Sequence, residues 1–582
     1  MKSKLNRRAF CIFGLLGALF AFFQMTGYGL AKRGNLIWDG SYLAKLLLVV
    51  LVVSILCGTI GSILCGFAGG IPDGGVEGIP GEAAGSKSDG TAGVSDRIGK
   101  RKGMAWSIRP LYVWLLSFAG IVLCRLPGYL AYYPGICAYD TTIQMGQVSG
   151  GFYNDHHPIA HTLLLKLGTD LGERVFGSVN AGLGLITLVQ MLFLAGVMAW
   201  GITLVVRRTG RRWIPVALQL LAMLYPFHAY MSISVCKDIL FSAFFLLQML
   251  ALCEMIRGKA GFGRYDILFA AGAIGMQLFR NNGRYAMLVL WVFLAAAVCF
   301  GKAHRRFWVK LTVNTTLCLV AGSLLLSGLF RVTGAEQGDR REMLSMPIQQ
   351  LARTMLYHGG VGVLAEDDGT MRKEDKALIN DFLLDEAYRD YRPDIADPVK
   401  RHTNTYVVRY RTEDFARTYL GLLADYPGDF INAALAVNAG YFYVGDESHA
   451  HINENGTDTG LGYVQTRFLA DELGEYGIVQ ASRWRSLYER MERWADQNAY
   501  LKLPIVKFLF VPGVFLWCYL LFAAILLWRR QYDGWIPLAL VFGYYATLIL
   551  GPTVQLRYIY PLMITLPFVV VLGIRGGAEV GK

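Results

Sequence analysis

Charged side chains are scarce in this chain. Asp, Glu, Lys and Arg make up 17% of its 582 residues, whereas about 25% is usual for a soluble globular protein. Apolar residues make up 54%, and many are gathered in blocks that reach the roughly 20 residues a helix needs to cross a bilayer. In lipid, backbone groups must be paired within helices. The composition therefore excludes an ordinary soluble multidomain protein and predicts an all-α polytopic membrane protein.

Several motifs of known chemistry are also absent. The chain has no P-loop, no G-x-G-x-x-G before a helix, no G-x-S-x-G and no zinc-type spacing of Cys and His. These absences remove support for ATP-driven transport and for a serine hydrolase. No cysteine lies between Cys318 and Cys518, so the long polar region there has no disulfide framework. The net charge of +13 comes largely from loops between apolar blocks, and no basic–aromatic pattern indicates a nucleic-acid partner.

About twelve apolar blocks are candidates for transmembrane helices. The seventh and eighth are separated only by Arg280-Asn281-Asn282-Gly283-Arg284, so a re-entrant pair is an alternative there. The blocks lie near residues 9–31, 42–68, 107–130, 180–206, 213–231, 238–256, 265–279, 285–300, 309–331, 504–528, 534–551 and 558–575.

Basic residues in the short loops predict the orientation of these helices, because Lys and Arg are retained on the cytoplasmic side. The N-terminal Met1-Lys2-Ser3-Lys4-Leu5-Asn6-Arg7-Arg8 places the start of the chain inside. Alternation then puts the basic loops at 207–212, 302–306 and 529–530 on the same side. We therefore expect both termini to be cytoplasmic.

Composition divides the chain into five regions. Residues 1–68 are expected to form a two-helix membrane hairpin, and residues 69–106, rich in Gly, Pro, Ser and Asp, a disordered cytoplasmic linker. Residues 107–332 carry seven membrane helices. Helical periodicity predicts a mostly α-helical external domain over 333–503, and residues 504–582 form a three-helix membrane module.

The most conspicuous polar residues belong to the external loop at 131–179. The loop contains Asp140, Asp155, His156 and His157. Asp140 precedes helix formers, so a role as helix N-cap and a role as catalytic base are both open. Asp155, His156 and His157 are candidate ligands of a divalent metal, but adjacent side chains point apart on regular structure, so no metal is demanded.

Basic residues gather at the same predicted outer face, against the bias that keeps them inside. A pairing of Lys237 with Asp238, or an arginine near a helix end, would explain any one of them structurally. Together they would form a cationic ring suited to a phosphate or pyrophosphate group, because a guanidinium matches such oxygens bidentately. The ring consists of Lys237, Arg280, Arg284 and Arg557.

Further candidates for substrate binding lie beside this ring and in the external domain. Asp238 and Tyr558 adjoin the basic residues directly. Gln349, Gln350 and Arg353 begin the external domain, where an amphipathic helix with exposed amides is the alternative interpretation.

The pattern resembles the GT-C superfamily of membrane glycosyltransferases over residues 107–575. Those enzymes combine seven core helices, an acidic residue in the first external loop of the core and a soluble external domain. Asp140 stands where the superfamily has its catalytic acid, although many members have paired acids and Asp155 is about fifteen residues away. The base is therefore Asp140 or Asp155. The short motifs similar to uncharacterised bacterial multi-pass relatives are Tyr133-Pro134-Gly135, His156-His157-Pro158, Lys237-Asp238 and Arg557-Tyr558.

The resemblance implies a glycosyltransferase of the bacterial cytoplasmic membrane that serves the cell envelope. It would move a hexosyl or pentosyl group from a polyprenyl-phosphate carrier to an extracytoplasmic glycan, lipid or protein acceptor. Membrane lipids are its other expected partners, no cofactor is required, and a divalent metal stays open. The alternatives are a transporter or flippase of lipid-linked glycans and a polymerase of the O-antigen-ligase type.

Overall fold

The computed structural model describes residues 6–70, 109–137, 139–258, 262–300, 304–338, 340–361, 369–445, 473–497 and 499–573. The predicted linker at 69–106 lies almost entirely outside these residues. In the described part of the chain the regular secondary structure is helical, and β-pairing is limited to isolated bridges. The prediction of an all-α polytopic chain is confirmed at this level.

The helices are numbered in chain order. The first twelve are α1 Arg7–Arg33, α2 Gly40–Gly70, α3 Pro110–Ala131, α4 Tyr139–Gly150, α5 Ile159–Phe176, α6 Val179–Arg208, α7 Trp213–Leu224, α8 Pro226–Ser232, α9 Lys237–Gly258, α10 Arg264–Phe279, α11 Asn281–Phe300 and α12 Arg305–Thr333. The polar domain that follows contains α13 Ser345–His358, α14 Lys373–Phe382, α15 Asp385–Arg389, α16 Asp397–Arg401, α17 Thr405–Tyr410, α18 Thr412–Asp425, α19 Pro427–Val437, α20 Ala439–Phe442 and α21 Arg485–Asp496. The chain closes with α22 Pro512–Arg529, α23 Trp535–Ile549 and α24 Leu556–Gly573.

Nine helices of the described residues are each long and apolar enough to cross a membrane, and α7 with α8 adds a tenth if the two form one span bent by 56°. The prediction of about twelve spans also counted α10 and α23, which have 16 and 15 residues. At 1.5 Å per residue they are roughly 24 and 22 Å long, shorter than a hydrocarbon core of about 30 Å. A multi-pass chain is therefore established, and the count of twelve stays a prediction.

Contacts at the two ends of α10 show how far this short helix reaches. Near its start, Asp266 pairs with Lys310 of α12 at 2.8 Å. Just after its end, Arg280 pairs with Asp238, which lies at the start of α9. Helix α11 returns from there to the start of α12. Helix α10 thus runs from the start of α12 to the start of α9.

The basic loops and the polar domain lie at opposite ends of this bundle. At the first end, Arg208 of α6 pairs with Glu254 near the end of α9 at 2.5 Å, and Arg8 donates a hydrogen bond to the last turns of α22 at 2.7 Å. At the second end, Asn35 after α1 accepts a hydrogen bond from Arg353 of the polar domain. We call these ends the basic end and the domain end. Which of them faces the cytoplasm stays a prediction.

The polar domain has an apolar core of its own. Helices α13, α14 and α19 contribute Ile348, Met355, Phe382 and Phe430, each at most 1% exposed. The domain is tied to the loop before α24, because the Ala396 N–H donates to the Pro552 carbonyl at 2.8 Å and Ile395 forms a bridge with Thr553. This loop leads directly into the site described next.

Candidate functional site

Five charged residues from four parts of the chain meet at the domain end of the bundle. Oδ2 of Asp140 accepts hydrogen bonds from Nζ of Lys237 at 2.9 Å and from Nη1 of Arg557 at 3.0 Å. Nη1 of Arg557 also lies 3.6 Å from Oδ2 of Asp238, and Arg280 pairs with the other oxygen of that carboxylate. We call Asp140, Lys237, Asp238, Arg280 and Arg557 the ion cluster.

Backbone pairing between two loops positions Asp140 against Lys237. The Ile136 N–H donates to the Ile233 carbonyl at 2.9 Å, and the Val235 N–H donates to the Ile136 carbonyl at 2.8 Å. The Thr141 hydroxyl donates to the Val235 carbonyl at 2.9 Å. Gly135 has φ +156°, and a Cβ there would lie only 2.7 Å from two neighbouring side chains. The close approach of the loops therefore requires a glycine.

Asp140 is the second residue of α4 and lies in its first turn instead of preceding the helix as an N-cap. A carboxylate in a first turn is favoured by the positive end of the helix dipole. Burial opposes ionisation of this side chain, which is 4% exposed. Lys237 and Arg557 outweigh burial and hold the pKa of Asp140 well below its usual range. The side chain is therefore a carboxylate at neutral pH.

The cluster carries a surplus of positive charge. Lys237, Arg280 and Arg557 supply three cations, and Asp140 and Asp238 supply two carboxylates, which leaves one positive charge when all five are ionised. A buried cluster of net positive charge favours an anionic ligand.

The two adjacent histidines are placed differently, although their ring centroids are 4.6 Å apart. Nδ1 of His157 lies 2.8 Å from Nζ of Lys237, and its Nε2 is buried without a hydrogen-bond partner. Burial and the charge of Lys237 hold the pKa of His157 well below its usual value, so the ring is neutral. His156 is partly exposed and lies 3.9 Å from Glu342 of the polar domain.

Asp155 does not join the ion cluster in the way that Asp140 does. Its Oδ1 accepts a hydrogen bond from the Gly338 N–H, in the segment that leads to the polar domain. In the part of the chain that the structure describes, no group of three or more His, Cys, Asp or Glu side chains is arranged to hold a metal. Asp155, His156 and His157 are thus not such a group.

Tyr558 lies beside the cluster, and Arg284 does not enter it. The guanidinium carbons of Arg280 and Arg557 are 4.6 and 4.8 Å from the ring centroid of Tyr558, close enough for cation–π attraction. The Tyr558 hydroxyl also accepts a hydrogen bond from Arg557 at 3.3 Å. Nε of Arg284 is buried without a hydrogen-bond partner.

The three candidates from the polar domain lie in contacts that hold that domain together. Gln349 donates to a backbone carbonyl of the same domain. Gln350 donates to the Phe430 carbonyl at 3.2 Å, and Arg353 pairs with Asp429 at 3.1 Å. All three are buried. Oε1 of Gln349 and Nη1 of Arg353 are buried without a hydrogen-bond partner, and the structure does not bring the three residues to the ion cluster.

His161 was not among the candidates from sequence, yet it lies close to the cluster. It is fully buried, its Nδ1 is 2.9 Å from Oε1 of Gln144, and its Nε2 has no hydrogen-bond partner. Burial, followed by the charge of Lys237, lowers the pKa of His161 to about 3. The signal in the sequence was its place in the same histidine-containing segment, four residues after His157.

The sequence profile of a family of unknown function (DUF6020) matches residues 148–580, so the chain belongs to that family. The matched range includes Lys237, Asp238, Arg280 and Arg557 and begins after Asp140. No curated protein and no solved structure matches the chain.

Proposed function

We propose that this family member is a membrane glycosyltransferase of the GT-C type, which moves a sugar from a polyprenyl-phosphate carrier to an extracytoplasmic acceptor. The observation that supports the proposal is the ion cluster. It joins one carboxylate, Asp140, to two cations within 3.0 Å at the end of a membrane bundle. Nucleotide sugars are not available outside the cell, so an enzyme facing outward would use a lipid-linked donor.

The charge of the cluster favours a monophosphate carrier. A sugar linked to a polyprenol through one phosphate is a phosphodiester with one negative charge, which matches the single positive charge left among the five residues. A diphosphate linkage carries two negative charges and would leave one of them uncompensated there. Buried ions are stable only when they are paired.

The proposed reaction uses Asp140 as the general base. The acceptor hydroxyl oxygen forms a bond to the anomeric carbon of the sugar, and the bond from that carbon to the phosphate oxygen breaks. The hydroxyl proton passes to the Asp140 carboxylate. The electron pair of the broken bond leaves with the phosphate, whose added charge Lys237 and Arg557 balance.

Donor binding would also tune the base, because the same two cations serve both groups. In the free protein Lys237 and Arg557 lower the proton affinity of Asp140. A donor phosphate that draws the two cations toward its own oxygens weakens their hold on the carboxylate. The proton affinity of Asp140 therefore rises when the donor is bound. The carboxylate can then accept the proton of the acceptor hydroxyl more readily than in the free protein.

The experiment that tests this function is sugar transfer by the purified full chain in lipid nanodiscs. We expect transfer from polyprenyl-phosphate sugars and little or none from the matching diphosphate-linked sugars. A panel of sugars and acceptors is needed, since the cluster specifies the phosphate only. Preference for the diphosphate donors would contradict the charge argument, and failure of every lipid-linked donor would contradict the function.

A second candidate function is transport of a lipid-linked glycan across the membrane. The observation in its favour is Arg125, a buried arginine inside the candidate span α3, because ionisable residues inside spans often mark a transport route. In sealed vesicles, movement of a fluorescent lipid-linked glycan between leaflets without cleavage of its sugar would favour transport over transfer.

A further inference from the structure

Helix α3 carries an arginine deep within the apolar bundle. Arg125 is 1% exposed and stands six residues before the end of the helix at Ala131, which is about 9 Å along the helix axis. The side chain therefore lies within the span and not in the loop that follows it.

Arg125 differs from every other buried arginine and lysine side chain of the described residues. Those with a carboxylate partner are Arg280, Arg353, Lys400 and Arg557. Nη2 of Arg125 instead donates to the thioether sulfur of Met198 at 3.1 Å, and its Nε and Nη1 have no hydrogen-bond partner. A thioether is a weak acceptor. The charge of Arg125 is therefore not balanced by an acidic side chain of the described chain.

Loss of a proton does not remove this buried charge, because the pKa of arginine is above 12 in water and its side chain stays charged in proteins. A buried charge without a partner destabilises a fold, and evolution retains ionisable residues inside spans chiefly where they bind something. The physical partner of such a guanidinium is an anion, which the described residues do not supply.

Two further polar side chains lie within electrostatic range of Arg125. Nδ1 of His228, on α8, is 3.1 Å from the hydroxyl of Tyr560, on α24. Both side chains are buried, and the charge of Arg125 acts on both. Guanidinium, imidazole and phenol can all donate hydrogen bonds to an anion.

The position of Tyr560 relates this group to the ion cluster. Tyr560 follows Arg557 by three residues on α24, so the two side chains are neighbours about one turn apart. The group of Arg125, His228 and Tyr560 thus lies deeper in the bundle than the cluster. The phosphate of a lipid can reach this depth because its apolar tail is soluble in the surrounding membrane.

We propose that Arg125, His228 and Tyr560 form a second anion-binding subsite, which takes the phosphate group of a membrane lipid such as a polyprenyl phosphate. The subsite stands independently of the glycosyltransferase proposal, because its evidence is the unbalanced arginine and not the ion cluster. A free phosphate ion has the same chemistry, so the experiment must separate the two sources.

The test is binding and thermal unfolding of the full chain in detergent micelles, with polyprenyl phosphate, uncharged polyprenol or inorganic phosphate added. We expect polyprenyl phosphate to raise the unfolding temperature and the other two to leave it unchanged. Arg125→Met and Tyr560→Phe should each weaken binding of polyprenyl phosphate, the former by about tenfold or more, because a hydrogen bond to a charged group is lost. An equal effect of inorganic phosphate would overturn the assignment to a lipid.

A stability control separates this role from a structural one. Without ligand, Arg125→Met should unfold at the same or a higher temperature than the wild type, because the change removes an unbalanced charge. The matched control Arg353→Met should unfold at a lower temperature, because it leaves the Asp429 carboxylate without its arginine, and should bind polyprenyl phosphate normally.

The proposal is overturned if Arg125→Met binds polyprenyl phosphate with unchanged affinity, whatever its unfolding temperature without ligand. If Arg125→Met does not fold, Arg125→Lys provides the measurement, since it keeps the charge and loses the planar fork. Unchanged binding by Arg125→Lys and Tyr560→Phe together would then contradict the subsite.

Discussion

One carboxylate oxygen of Asp140 serves two cations, and this sharing determines how the residue responds to its surroundings. Lys237 and Arg557 both donate to Oδ2, from helices that begin more than three hundred residues apart. Because the carboxylate is buried, its ionised form is stable only while these partners are present. A change of charge at Asp140, Lys237 or Arg557 should therefore change the electrostatic environment of the other two side chains.

The first prediction concerns pH. The pKa of Asp140 is lowered in the folded protein, so its ion pairs stabilise the fold above the unfolded value of about 3.9, and this stabilisation is lost as the pH falls toward the lowered value. We expect the unfolding temperature of the wild type to exceed that of Asp140→Asn at pH 7, and the difference to shrink below about pH 4. The control Asp170→Asn removes a partly exposed pair with Lys166 and should show little difference at any pH. A constant difference for Asp140→Asn from pH 7 to pH 3 would contradict the ion pairs.

The second prediction concerns the shape of Arg557. Its guanidinium reaches Asp140 and Asp238 with one nitrogen and Gln555 with another, which a single ammonium cannot reproduce. In a transfer assay we expect Arg557→Lys to raise the KM for the donor by roughly tenfold and Arg557→Ala to raise it further. Arg284→Lys, at the same end of the bundle, should leave the KM near that of the wild type. Equal kinetics for Arg557→Lys and the wild type would remove Arg557 from donor binding.

At the scale of elements, two short loops determine whether the ion cluster forms. The loop before α4 leads into Asp140 and the loop before α9 leads into Lys237, and two backbone hydrogen bonds join the loops at Ile136. The sequence predicted that both loops lie at one face, because each interrupts an apolar block. It did not predict that they pair directly, since such pairing depends on contacts far apart in the chain.

The third prediction tests this pairing at Gly135. Gly135→Ala places a Cβ 2.7 Å from Thr187 and Val235 at φ +156°, and such overpacking costs about 1–3 kcal/mol. We expect a lower unfolding temperature and weaker sugar transfer, because the loops must separate. Gly150→Ala is the matched control, since a Cβ there meets no atom within 4 Å, and it should behave like the wild type. Wild-type stability and transfer in Gly135→Ala would show that the close approach is not needed.

The helices include features that the sequence predicted and features that it did not. Apolar blocks located the nine candidate spans of the described residues, because burial in lipid requires a long apolar stretch. Block length did not reveal that α7 ends before Pro226, which lacks the N–H that a continuous helix needs. Helical periodicity predicted a helix at Gln349, Gln350 and Arg353. It did not predict that these side chains are buried, since burial depends on tertiary packing.

On the scale of the whole molecule, the chain is polarised between its two ends. The described termini, at Asn6 and Gly573, both belong to the basic end, and the polar domain and the ion cluster lie at the other. Sequence reasoning predicted this polarity from the basic loops. It overlooked Arg125, because one arginine inside a long apolar block scarcely changes the average hydropathy.

The fourth prediction assigns the two ends to the two sides of the membrane. In a cysteine-free background, Ala416→Cys on the exposed surface of α18 should react with an impermeant maleimide in intact cells, because the domain end is predicted to face outward. Gly210→Cys, in the exposed loop between α6 and α7, should react only after permeabilisation. The reverse pattern would overturn the predicted orientation, and with it an extracytoplasmic acceptor.

The central claim is that Asp140 is the base of a sugar-transfer site built by the ion cluster. The most direct measurement is the rate of transfer from a polyprenyl-phosphate sugar by Asp140→Asn and Asp155→Asn, with folding checked by unfolding temperature. Asn keeps the size of Asp and cannot take the proton, so Asp140→Asn should lower the rate by a factor on the order of 10² or more. Asp155→Asn should retain most of the rate, because Asp155 contacts the backbone of Gly338. Loss of transfer in Asp155→Asn with near-normal transfer in Asp140→Asn would assign the base to Asp155, and normal transfer in both would contradict the proposed site.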